Sequence, residues 1–62
     1  MITLKKNNAE QIRIEKLNYK GHDVVNMRVW WTSPEGREIP TKKGLTITLD
    51  MLPDLLTALH GL

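Results

Sequence analysis

The sequence predicts an α+β fold: a four-stranded antiparallel sheet followed by one C-terminal helix, in the order ββββα. Three observations predict it. Apolar and polar residues alternate through the first two-thirds of the chain, with Gly and Pro clusters punctuating the alternation. Aromatic and β-branched residues concentrate between His22 and Thr32. From Leu52 onward the apolar spacing changes from the period of a strand to that of a helix.

Taken in order, Ile2 to Leu4 form a short β-prone piece, and Lys5 to Asn8 are a polar break. From Ala9 to Tyr19, Ile12 and Ile14 share one face while Arg13 and Glu15 share the other, the pattern of a half-buried strand. Lys20 and Gly21 read as a tight hairpin turn, with Gly21 supplying a positive φ. The next strand, His22 to Thr32, carries Val24, Val25, Val29, Trp30 and Trp31. Ser33, Pro34, Glu35 and Gly36 match a type I turn, Pro second and Gly fourth. A strand starting near Arg37 is interrupted by Pro40, which cannot donate to a ladder and so marks an edge or a bend. After Lys42, Lys43 and Gly44, the alternating run Leu45 to Leu49 reads as a separate short strand.

Strands thus occupy about residues 2 to 49, and a helix about 50 to 60. Leu52, Leu55, Leu56, Leu59 and Leu62 fall on one stripe of that helix. Asp50 is placed as its N-cap, Pro53 in the first turn, and Asp54 where it complements the positive end of the dipole. Gly61 is placed as its stop. No repeat or linker divides the chain, so residues 1 to 62 read as a single domain.

A chain of 62 residues has little interior, since at about this size only roughly 60% of the unfolded surface is buried. Small folds gain stability from disulfides, metals or a partner subunit. The absence of cysteine removes disulfides and cysteine-based metal sites, two histidines, His22 and His60, leave little for a zinc cage, and no metal or cofactor is implied. A second copy of the chain remains, so a homodimer is expected, with Leu52, Leu55, Leu56 and Leu59 as its interface.

Charged residues make up 26% and hydrophobic residues 40%, the balance of a globular chain rather than a disordered tail. The net charge of +2 conceals an asymmetry. Residues 1 to 49 hold all nine Lys and Arg against five acids, a local +4, whereas residues 50 to 62 hold only Asp50 and Asp54. Such a distribution suits a polyanion on one surface only. Lys5 to Asn8 break any leader-like apolar run near Met1, and no apolar segment approaches the roughly 20 residues that span a membrane. The expected compartment is therefore cytoplasmic and nucleoid-associated in a bacterium or phage host, or nuclear in a eukaryote.

Catalysis requires acids, bases or nucleophiles within mutual reach. Ser33 is the only serine and falls in the predicted turn; His22 has no acid or second His at a recognisable spacing; His60 suits the helix C-terminus. Gly36 to Lys43 departs from a phosphate-binding loop, with Thr41 at the second glycine and Lys43 at the Ser or Thr position. The chain reads as a binder, not an enzyme. Arg13, Lys16, Tyr19, Lys20, Arg28, Trp30, Trp31, Lys42 and Lys43 come from successive strands and their turns. Cations that follow phosphates, interleaved with rings that stack on unpaired bases, are what single-stranded nucleic acid requires. A basic sheet meeting an acidic protein partner, or an RNA, remains the alternative.

Three segments sharpen this reading. Tyr19-Lys20-Gly21, then Met27-Arg28-Val29-Trp30-Trp31-Thr32-Ser33-Pro34-Glu35-Gly36, then Pro40-Thr41-Lys42-Lys43-Gly44-Leu45 together resemble the positive-cofactor-four family of transcriptional coactivators. The resemblance covers roughly residues 10 to 60 and rests on the order and spacing of the three pieces. It implies a homodimer whose helices pair across a two-fold and whose curved sheets form grooves for single-stranded DNA, with transcription or replication proteins as further partners. By position, Tyr19 and Trp31 match the stacking aromatics, and Lys20, Arg28, Lys42 and Lys43 match cations on the DNA backbone. His22 stands where the family often has lysine. Residues 1 to 62 carry no Ser-rich regulatory extension, so the domain is more similar to bacterial or phage members.

Strict alternation places Val25, Met27, Val29 and Trp31 on one face and Val24, Asn26, Arg28 and Trp30 on the other. The resemblance instead makes Trp31 the stacking ring, with Trp30 as core or groove wall. A bulge before Ser33 would reconcile the two.

Overall fold

A computed structural model describes all 62 residues. Four strands, β1 (Ile2–Lys5), β2 (Glu10–Tyr19), β3 (His22–Thr32) and β4 (Glu38–Thr48), form one antiparallel sheet in sequential order. A single 3₁₀ turn, Leu49–Met51, leads into helix α1, Leu52–His60. The α+β class and the ββββα order are as the sequence predicts.

The strand count is reached by a different division. Ile2 to Lys5 is a full partner of the sheet, with Ile2 opposite Ile14 and Leu4 opposite Ile12. The two segments expected on either side of Pro40 are one continuous strand of 11 residues. Pro40 is accommodated because β4 is an edge strand, where a missing donor leaves no inner ladder broken.

Local chemistry sets the turns. Lys20 (φ 52°) and Gly21 (φ 82°) are both left-handed, the signature of a type I′ hairpin whose twist matches its strands. In the next turn the Gly36 amide donates to the Ser33 carbonyl at 2.9 Å, and the Arg37 amide donates to Ser33 Oγ at 3.1 Å. Ser33 is therefore a turn-forming residue.

The bulge lies elsewhere than expected. Pairing of β2 with β3 runs without a shift from Tyr19–His22 to Glu10–Trp31, so nothing interrupts β3 before Ser33. The irregularity is in β4: Arg28 faces Gly44 and Trp30 faces Pro40, so Val29 alone is opposed by Thr41, Lys42 and Lys43. Thr41 closes this loop, its hydroxyl donating to the Val29 carbonyl at 2.7 Å and accepting from the Lys43 amide at 3.2 Å. Gly44 (φ 158°) permits the close approach, because a Cβ there would collide with the Met27 carbonyl and lie 2.8 Å from Arg28 Cα.

Helix α1 begins two residues later than the sequence suggests. Its N-cap is Met51, without a side-chain cap, while Asp50 sits inside the 3₁₀ turn. Pro53 occupies the first turn beside Asp54, and His60 the last, as the dipole favours. No residue of the helix is buried.

With β3 regular, cross-strand partners define two faces. One carries Ile2, Leu4, Ile12, Ile14, Val25, Met27, Val29, Trp31, Ile39, Leu45 and Ile47. The helix start covers only part of it: Leu49 and Leu52 join Ile2, Ile14 and Val25 around an open cavity of about 320 Å³. Val25 is the single buried apolar residue, and the molecule measures 38 × 33 × 18 Å, one sheet with part of a second layer.

Candidate nucleic-acid interface

The second face is polar and cationic. Arg13 and Arg28 lie directly opposite each other on β2 and β3. Trp30 and Tyr19 share their face, as do Gln11, Asn26, Thr46 and Glu38. Two like charges in cross-strand register repel, so each guanidinium needs a counterweight. Arg28 Nη1 donates to the Thr41 carbonyl at 2.8 Å, which ties that cation to the β4 loop. Arg13 is held twice: its guanidinium carbon lies 4.1 Å from the centroid of the Trp30 ring, and its Nη2 pairs with Glu38 Oε2. Its Nε is buried with no partner.

Tyr19 stands at the far end of this face. The residue is 63% exposed and Lys20 Nζ lies 5.3 Å from its ring centroid, so an exposed aromatic residue and a cation occur together at the hairpin tip. Beside it Leu17, Val24, Asn26 and Thr46 line a shallow hollow of about 300 Å³. Thr46 Oγ1 and Asn26 Oδ1 are 3.0 Å apart across its floor.

Trp31 belongs to the other face, as strict alternation requires. It is 40% exposed, with Glu10 and Ile39 as its register neighbours. Lys43 lies towards this end: after the Asn7 amide, which dominates, and Lys6, its charge helps hold the Glu10 carboxyl below the usual range against the opposing effect of desolvation. Lys42 and Lys43 are exposed in the β4 loop and form no ion pair.

The structure thus brings Arg13, Arg28, Trp30 and Tyr19 to one surface, with Lys20 at its tip. It places Trp31 on the opposite face and leaves Lys42 and Lys43 exposed in the β4 loop. Trp30 is half-buried beneath a guanidinium, which suits a groove wall. Glu38 and Thr41, which set the positions of both arginines, carry no signal of their own in the sequence. The register could have disclosed Glu38, because paired arginines on one face demand a nearby acid. The four helix leucines divide as well: Leu52 and Leu55 are half-buried, Leu56 and Leu59 exposed.

The family model described as Transcriptional Coactivator p15 (PC4) matches residues 6–58. Among solved structures, the chain is similar to a PC4 homolog from Burkholderia pseudomallei K96243 in two crystal forms. The orthorhombic form gives a TM-score of 0.84 at 25% identity, covering 95% of this chain and 80% of the other. The tetragonal form gives 0.83 at 25% identity, covering 95% and 87%. No curated protein sequence matches significantly.

Proposed function

Since the chain belongs to the Transcriptional Coactivator p15 (PC4) family, we propose that it is a single-stranded DNA-binding protein of coactivator type, acting as a homodimer with little sequence preference. The observation that carries this reading is the pairing of Arg13 and Arg28 on one sheet face with a stacking-competent Tyr19 at its end. Cations at that spacing follow a phosphate backbone, and an exposed ring accepts any base because every base presents a π-face. Lys20, Lys42 and Lys43 extend the positive path through the hairpin tip and the β4 loop. In this reading Trp30 supports Arg13, and Trp31 is the second stacking ring.

Tyr19 and Trp31 sit at opposite ends of the β2–β3 hairpin and on opposite faces. A short oligonucleotide on the cation face meets Tyr19 and leaves Trp31 untouched, whereas a longer strand passing round the sheet reaches both.

The test is fluorescence anisotropy with labelled oligodeoxynucleotides of increasing length at low salt, alongside duplex, RNA and heparin competitors. Single strands are expected to bind, with a log–log salt slope of about −0.7 per phosphate contacted, and duplex to compete poorly. Tyr19→Ala should cost about 1–3 kcal/mol with all lengths, and Trp31→Ala a similar amount with the longer ones only. Equal competition by heparin and duplex would assign the basic face to an acidic partner instead.

A further inference from the structure

Glu38 is an acid set into a cation surface, and its position invites a specific role. Its carboxylate rests on Arg13 Nη2, while its side chain is 53% exposed and that of Arg13 only 15%. The seat on the guanidinium is therefore reached from solvent on the side where Glu38 sits. Arg13 cannot swing away to offer another side, because Trp30 lies under its plane and β2 holds its stem. The pairing is also incomplete, since Nε is buried and unbonded and a single carboxylate oxygen engages one nitrogen. A guanidinium is best matched by an anion that offers two oxygens to its fork.

We propose that Glu38 is an internal competitor of the ligand: its carboxylate occupies, in the free protein, the place on Arg13 that a backbone phosphodiester takes in the complex. This rests on the reading of the Arg13–Arg28 face as the nucleic-acid surface. Glu38 has two effects in the free state. It neutralises one of two arginines in direct register, which lowers their mutual repulsion, and it keeps a strong cation from engaging weak or isolated anions. A strand that binds Arg28 and the β4 lysines at the same time brings a phosphate to Arg13 at high effective concentration and displaces the carboxylate. Ion pairs open to solvent are worth about 0.2–1 kcal/mol, and the Glu38 half of this one is open to solvent, so freeing Arg13 changes affinity by a small but measurable factor.

Three variants test this in the intact chain, with folding checked by circular dichroism. Glu38→Gln should raise affinity for a single-stranded oligonucleotide by about 1.4- to fivefold at low salt, the fold-change equivalent of that pair. Glu38→Asp retains the charge on a shorter arm and should recover part of the gain. In an Arg13→Ala background the Glu38→Gln gain should vanish. A gain that persists without Arg13 would mean a long-range charge effect and overturn the proposal. So would unchanged or weakened binding by Glu38→Gln, the latter assigning Glu38 to positioning Arg13. Absence of binding by the unsubstituted protein would instead sink the proposed function, which separates the two failures.

Discussion

At the scale of single residues, function depends on side chains whose partners come from distant strands. Arg13 illustrates this, since its surroundings are Trp30 and Glu38, 17 and 25 positions further along. Sequence alternation put Arg13 and Arg28 on a polar face correctly, but it could not reveal that one is stacked and paired while the other is tied to a carbonyl. Glu10 is a second example. Asn7 donates its amide to the Glu10 carboxylate at 2.8 Å and accepts the Ala9 and Glu10 backbone amides, so the β1–β2 connection is organised by one short motif. The Glu10 carboxyl is held below its usual range, chiefly by the Asn7 hydrogen bond and secondarily by Lys6. A lowered folded-state value means that the ionised carboxylate contributes stability above the ordinary glutamate range, and that this contribution is lost as pH falls through the lowered value. Wild type should therefore melt above Glu10→Gln at pH 7, and the difference should close at a pH well below the ordinary glutamate range. Thermal melts at both pH values check the sign. A difference unchanged across that range would remove the ionised carboxylate from the account.

Elements follow from local rules where the rule is strong and fail to where two rules compete. The Lys20–Gly21 turn and the Ser33–Gly36 turn were legible because their residue types admit few alternatives. The β4 strand was not, because Pro40 and Gly44 each end a strand by propensity, while tertiary pairing with β3 carries the strand through both. Asp50 missed its cap for a related reason: the chain turns into a 3₁₀ geometry at Leu49, which starts the helical path before the capping position is reached. The β4 loop gives the sharpest test at this scale. At Gly44, both φ and the approach of the Met27 carbonyl exclude a Cβ, whereas at Gly21 only φ does, with open space around it. Gly44→Ala should cost about 2–3 kcal/mol and Gly21→Ala about 1 kcal/mol. Urea denaturation of the two variants distinguishes a site of collision from one of strain alone. Equal costs would mean that the β4 loop yields freely.

For the molecule as a whole, size and composition predicted a chain that needs more burial than it can supply alone, and Val25 as the single buried apolar residue agrees with that. The sheet face around it leaves Ile2, Leu4, Ile39 and Leu45 exposed, as are Leu56 and Leu59 of the helix. An apolar surface of this kind marks an interaction site. In the proposed homodimer the partner's copy covers it. Leu56 is 49% exposed within one chain, so in a monomer Leu56→Asp should alter stability by no more than about 0.5 kcal/mol. If the partner covers it, the same change buries an unpaired charge and should dissociate or unfold the protein. Light scattering, with melting points taken over a range of concentrations, reads this directly: the wild-type midpoint should rise with concentration and the variant should lose that dependence. A wild-type monomer with a concentration-independent midpoint would discard the homodimer. A body only 18 Å thick offers substitutions no graded depth, only one side or the other, and tolerance to mutation should alternate with odd and even positions along each strand. The β4 loop keeps that rhythm because it inserts two residues and not one: Ile39 stays beside Trp31, and Glu38 stays on the side of Arg13. Changes of length there are tolerated in pairs, since losing a single residue would exchange the two surfaces over the strand's first three residues.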